Sequence, residues 1–211
     1  MTSVQNAPTV DALVATIRAC DVCAYSTPPL PVEPNPILFA SGRSRIRIIS
    51  QAPGTLAHES STTFNDPSGR RLREWLGVTP AEFYNPDNFA ITPMGFCFPG
   101  QDAKGGDLPP RPECAPLWQP RLNEALQGVE LTLLVGMYAV KYHLGPAAER
   151  TLTETVRNWQ TYAPAVMPLP HPSWRNNGWI KRHPWFADAL VELKRRVGDL
   201  VTRDDTDIGI R

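Results

Sequence analysis

No apolar run in this chain approaches the ~20 residues that a membrane-spanning helix needs; even the longest, such as Leu131 to Gly136, stop far short. The stretch Met1 to Ala7 has neither a basic start nor an apolar core, so nothing in it reads as an export signal and a cytoplasmic protein is expected. Internal repeats and low-complexity tracts are missing. So is an excess of one charge: 21 basic and 21 acidic side chains cancel to a formal net charge of +0. Attraction to a polyanion through bulk charge is thereby excluded, although a local patch can still supply it. One segment offers such a patch. Arg175, Lys181, Arg182, Lys194, Arg195 and Arg196 stand against only Asp188 and Glu192 between His171 and Arg196. Glycine is scarce beside proline, 14 residues against 23. Clusters such as Pro28-Pro29-Leu30-Pro31, Pro109-Pro110 and Pro168-Leu169-Pro170 cannot continue a helix or a central strand, so they mark stiff loops. With 42% hydrophobic and 20% charged residues the 211-residue chain can build a sizeable core, which excludes wholesale disorder. A single domain over 1–211 is expected, with the acidic end, 203–211, as a frayed tail.

Val10, Leu13, Val14 and Ile17 repeat at helical spacing after Thr9, a good N-cap, and predict a short helix ending near Cys20. Ile46, Ile48 and Ile49 form a β-branched run that stops at Ser50-Gln51-Ala52-Pro53-Gly54, a strand feeding a turn. Further strands are predicted at Phe89 to Thr92, Leu131 to Val135 and Ala165 to Leu169. Helices are predicted at Gly69 to Leu76, Pro80 to Tyr84, Trp118 to Leu126, Met137 to Leu144 and Leu152 to Tyr162. A last helix carries Phe186, Leu190, Leu193, Val197 and Leu200 on one stripe. Strands alternating with helices imply an α/β fold whose sheet is parallel and covered on both faces. Ligands in such folds bind beyond the carboxyl ends of the strands, which points to two loops, Ser50 to Phe64 and Pro170 to Trp179.

The four cysteines are Cys20 and Cys23, separated by two residues, and the distant Cys97 and Cys114. Two residues between thiolates let both face one metal centre, and two further partners complete four sulfur ligands, as zinc and iron–sulfur sites both require. Buried free thiols or a redox pair would use the same residues, whereas a disulfide does not suit a reducing compartment.

Ser50 to Gly54 leaves its strand through a proline and a glycine, which frees backbone amides to face a ligand. Phe64 follows, then Asn65-Asp66-Pro67-Ser68-Gly69. His171-Pro172-Ser173-Trp174-Arg175-Asn176 places a histidine on a proline-fixed loop beyond a strand, well sited to donate to a charge developing on a ligand. Taken together these segments resemble the uracil-DNA glycosylase superfamily, over nearly the whole chain from Cys20 to the last helix. Gln51-Ala52-Pro53-Gly54, Phe64 and Gly69 resemble the first motif of its iron–sulfur type, known as family 4. His171-Pro172-Ser173 is similar to the second motif, and Trp174-Arg175-Asn176 to Trp179 is closer to the single-strand-selective monofunctional uracil glycosylases. Two positions depart from that pattern: Gln51 stands where an acid is common, and Pro93 where an asparagine reads uracil.

The resemblance implies a three-layer α/β/α sandwich around a four-stranded parallel sheet and a monofunctional, monomeric DNA glycosylase acting on the nucleoid in base-excision repair. It implies a 4Fe-4S cluster on Cys20, Cys23, Cys97 and Cys114, with zinc as the alternative. Phe64 would stack on the flipped base, with Asn65 or Asn176 as substitute amide readers, and backbone amides around Gln51 to Gly54, the turn carrying Ala52, Pro53 and Gly54, would help to hold it. His171 would donate to the base, while His58, where relatives carry an acid, would orient or deprotonate water with Gln51 positioning it. Ser173 and Arg175 would sit against the strand backbone, with Asn176 also on the DNA side, and Trp174 or Arg175 would fill the gap left by the base. The other reading of the same pattern is a DNA-binding module on this fold with little or no base excision.

Overall fold

The computed structural model describes residues 9–202, so the expected tail at 203–211 and the Met1 to Ala7 segment lie outside the described residues. In chain order the helices and strands are α1 (Val10–Arg18), β1 (Ile46–Ile49), α2 (Thr55–Ser60), α3 (Pro67–Leu76), α4 (Pro80–Phe83), β2 (Phe89–Ile91), α5 (Cys114–Ala125), β3 (Leu131–Val135), α6 (Met137–Leu144), α7 (Leu152–Arg157), β4 (Val166–Leu169), α8 (Asn177–Arg182) and α9 (Phe186–Val201). Thr9 caps α1 as its sequence suggests, its hydroxyl accepting the Ala12 N–H at 3.3 Å.

The strands form one parallel sheet in the order β2-β1-β3-β4, with Ile48 opposite both Ile91 and Leu133, and Thr132 opposite Val166. Each strand is apolar and buried along nearly its whole length, as a sheet covered on both faces demands. Alternation sorts the side chains. Ile46, Ile48, Leu131, Leu133 and Val135 join Leu72, Trp75, Phe186, Leu193 and Val197 of α3 and α9 on one face. Ala90 meets α1 and α5 on the other, where Ile49 and Leu134 meet α6. The fold is thus the expected three-layer α/β/α sandwich. Pro168 sits within β4 because β4 is an edge strand, where a missing N–H leaves no ladder bond unmade.

Several expected boundaries move. The loop over Ser50 to Phe64 contains α2, six residues whose N-cap, Gly54, has no side chain to signal a start. Helix α5 begins at Cys114 rather than Trp118, since Pro116 falls in its first turn, where a missing N–H is tolerated, and Pro120 is accommodated inside. The helix foreseen through Tyr162 ends at Arg157 and continues as a 3-10 turn, Trp159–Thr161. Beyond β4, the expected loop becomes a 3-10 turn, Trp174–Asn176, followed directly by α8.

Candidate active site

A cleft of about 330 Å³ opens beyond the carboxyl ends of β1, β2 and β4. The turn after β1 contributes Ser50, Ala52, Pro53 and Gly54, β2 leads to Pro93, and β4 leads to His171. Phe64 lines the same cleft. Its backbone is in the left-handed region, φ 55, rare for a bulky residue and a mark of strain held by its surroundings. Those surroundings are specific. A Cβ on Gly69 would lie 1.7 Å from the Phe64 carbonyl oxygen, so only glycine lets α3 pass this close, and the Phe64 ring rests edge-on against Phe83 at 6.1 Å.

His171 packs over Gly136, where a Cβ would stand 3.6 Å from its own, and its burial pushes the imidazole below its ordinary pKa. The Asp66 and Asp107 carboxylates pull the other way without prevailing, so the ring is neutral at pH 7. The Ser173 N–H donates to Nδ1 at 3.2 Å, which makes Nδ1 the acceptor and leaves the proton on Nε2. Two further bonds fix this loop. Asn176 Nδ2 donates to the His171 carbonyl at 2.7 Å, and Arg71 donates to the Pro172 and Ser173 carbonyls at 3.3 and 3.1 Å.

Ala52, Pro53, Gly54, Phe64, His171, Ser173, Trp174 and Arg175 therefore share one cleft. Trp174 is 69% exposed at its rim, with the Arg175 guanidinium 5.8 Å from its ring. Four other expected residues are not among its lining. Gln51 donates through Nε2 to the Leu108 carbonyl at 3.2 Å. His58, on α2, stacks near Phe98 with ring centroids 5.8 Å apart, and its Nδ1 is buried without a partner. Asn65 is exposed outside the cleft, and the Asn176 amide is engaged as described. The basic run also divides, because Arg195 and Arg196 on α9 bond Glu192, and Arg195 bonds Asp199 as well.

The cleft adds polar groups to which sequence reasoning gave no role: the Gln101 amide, the Asp66 and Asp107 carboxylates, and the hydroxyls of Thr55 and Thr63. Asp66 was legible as the N-cap before Pro67, and it accepts the Gly69 N–H at 2.8 Å. The Thr55 and Thr63 hydroxyls are buried with no hydrogen-bond partner. Nothing in the sequence singled out Asp107.

Apart from the cleft, Cys20, Cys23, Cys97 and Cys114 line one small apolar pocket with Pro34, Pro36, Gly95, Phe96 and Arg111. All four are free thiols. Burial pushes Cys114 up to about 12, Cys97 up to about 11, and Cys23 upward as well, so these are protonated thiols at neutral pH unless a metal displaces the proton. Among the described residues no three His, Cys, Asp or Glu side chains are grouped to hold a single metal ion. Four thiols around one pocket, beside the Arg111 cation, are the donor type that zinc and iron–sulfur sites both use, and their placement does not choose between them.

A parallel α/β sandwich that gathers an aromatic ring and a neutral imidazole beyond its strand ends is a ligand-binding framework of the doubly covered α/β class. The chain belongs to the uracil DNA glycosylase superfamily, whose family model matches residues 37–194. Enzymes of that superfamily act on DNA and hydrolyse N-glycosidic bonds. No helix among the described residues is long and apolar enough to cross a membrane.

Proposed function

We propose that this protein is a monomeric, monofunctional DNA glycosylase that flips a deaminated base out of the stack and hydrolyses its bond to deoxyribose in base-excision repair. The observation that carries the reading is that Phe64 and His171, from opposite halves of the chain, line a single cleft at the strand ends. Extruding a base costs a few kcal/mol, and stacking on an aromatic ring returns ~1–3 kcal/mol. Phe64 supplies that ring in a fixed orientation. As the glycosidic bond breaks, negative charge collects on the base, and a preorganised neutral donor meets it without first losing a proton. His171 is that donor, through Nε2. Trp174 and Arg175 at the rim fill the space the base leaves. The Gln101 amide and the Thr55 and Thr63 hydroxyls are the polar groups available to read the base edge in place of the asparagine that Pro93 replaces. Uracil, hypoxanthine and xanthine all present the paired oxygen and N–H such groups recognise.

The four cysteines, in this reading, hold a 4Fe-4S cluster rather than zinc, a choice that rests on the resemblance of their order and spacing to the iron–sulfur type and is compatible with their lining one pocket. When bound, the cluster supplies a cross-link that ties the Pro-rich segment 98–113 and the end of α1 to α5.

The test is release of base from single- and double-stranded oligonucleotides carrying uracil, hypoxanthine or xanthine, read by alkali cleavage. Wild type is expected to release at least one, and His171→Ala to lose on the order of 10²–10³-fold in rate, the usual worth of one such donor. Binding without release from any substrate would instead identify a DNA-binding module. A brown preparation containing iron and acid-labile sulfide is expected, and a colourless one containing zinc would overturn the cluster.

A further inference from the structure

We propose that Asp107 is the catalytic carboxylate of this cleft, the group that takes the proton of the attacking water and faces the cationic sugar. The assignment rests on the glycosylase reading above. Hydrolysis needs two partners on opposite sides of the breaking bond: a hydrogen-bond donor for the departing base and an anion near the sugar carbon. His171 is the donor. The residues expected to serve the water, His58 and Gln51, are not among those lining the cleft.

Among the residues lining the cleft only Asp66 and Asp107 carry carboxylates, and both act electrostatically on His171. Asp66 is already committed, because its Oδ1 accepts the Gly69 N–H and caps α3. Asp107 is not committed in this way. Its Oδ1 accepts one long bond from Gln101 Nε2 at 3.3 Å, while Oδ2 lies over the turn after β1, 3.3 Å from where a Cβ on Gly54 would stand. Any side chain at Gly54 would crowd that oxygen. The Thr63 hydroxyl, in a residue only 5% exposed, lines the same cleft and lacks a partner, an independent sign that a polar ligand completes this site. Asp107 itself is open to solvent, the side from which water enters.

Its position is built by the chain on either side. Asp102 accepts the Lys104 and Gly106 N–H groups at 2.8 Å each, Gln101 and Asp107 form a bridge, and Gln51 holds the next carbonyl, that of Leu108. In the step itself, the bond from the sugar carbon to the base nitrogen breaks and its electron pair leaves with the base, whose charge is met by the His171 Nε2–H. The water oxygen bonds to the sugar carbon, and the water proton passes to Asp107, which returns it to solvent. The base anion takes a proton from solvent on release, so the products are free base and an abasic deoxyribose.

The experiment compares wild type, Asp107→Asn, Asp107→Ala, Asp66→Asn and Asp102→Asn on the oligonucleotide that wild type cleaves fastest, under single-turnover conditions. Binding is read separately with the same oligonucleotide carrying a 2′-fluoro sugar that resists cleavage. D107N is expected to lose on the order of 10²-fold or more in rate while binding within about threefold of wild type, as removal of a general base does. D107A is expected to regain rate with added formate, which restores a carboxylate without restoring the side chain. D102N, which weakens the two bonds that hold this loop, is expected to lose rate by less than D107N, and a D102N loss as large as that of D107N would make the D107N effect one of loop placement and overturn the assignment. D107N keeping pace with wild type, or D66N falling where D107N does not, overturns the assignment alone. A wild type that releases no base from any substrate overturns the glycosylase reading and the assignment with it.

Discussion

At Phe64 the backbone bears a conformation that a phenylalanine rarely adopts, and the strain is maintained by a neighbour with no side chain. Gly69 lies on the first turns of α3, and any Cβ there would collide with the Phe64 carbonyl. Gly69→Ala is therefore expected to push the Phe64 segment out of place, costing at least ~1–3 kcal/mol as overpacking does, and to depress base release more than its stability loss explains. Urea unfolding beside single-turnover kinetics checks both, and an alanine variant of wild-type stability and rate would contradict the account. The pairing of Phe64 with Gly69 was visible in the sequence because the resemblance spans it, as it does Ala52 to Gly54 and His171. Asp107, Gln101 and Thr63 were not visible. They reach the cleft through irregular backbone fixed by single hydrogen bonds, and such a segment carries no periodicity to mark which way a side chain points.

The elements divide on the same physical ground. Strands β1 and β3 and helix α9 were read nearly to their ends, since an apolar run or an unbroken stripe dictates them, whereas α2 and α8 are six residues each and hold by tertiary contact. One element conceals a second surprise. Arg47, in the middle of β1, is only 4% exposed, on the face covered by α1 and α5. Its guanidinium donates to Thr92 Oγ1 at 2.8 Å, Gln119 Oε1 at 2.7 Å and Asn123 Oδ1, while Gln119 Nε2 in turn holds the Pro93 carbonyl at 2.9 Å. Burial lowers its pKa to about 10, so it remains a cation at neutral pH. A charge is thus placed beneath the end of β2, fastening the floor of the cleft through one helix. Arg47→Ala would leave three acceptors short of a donor, at ~1–3 kcal/mol for each that water does not reach. A large fall in the urea midpoint with slower base release is expected, and a variant with unchanged midpoint would show the network to be dispensable.

Across the whole molecule that same buried cation constrains a second group. His143 near the end of α6 has Nε2 buried without a hydrogen-bond partner, and burial first, then the Arg47 charge, lowers its pKa to about 4. In the unfolded chain an imidazole titrates near ~6.5. Between about 6.5 and about 4 the unfolded chain therefore binds a proton that the native one refuses, and stability falls as pH falls through that window. His171, whose pKa burial also lowers, contributes with the same sign. The fold thus holds neutral imidazoles in two places, one at the cleft and one on α6, and acid should loosen the molecule before most surface carboxylates titrate. His143→Gln removes one of the two without adding a titrating group. Calorimetry from pH 7 to pH 4.5 is expected to show wild-type Tm falling more steeply than that of H143Q, so that the two curves converge or cross on acidification. Parallel curves would mean that His143 takes up its proton in the folded state as readily as in the unfolded one, and that the cation on β1 does not govern what the far side of its layer can hold.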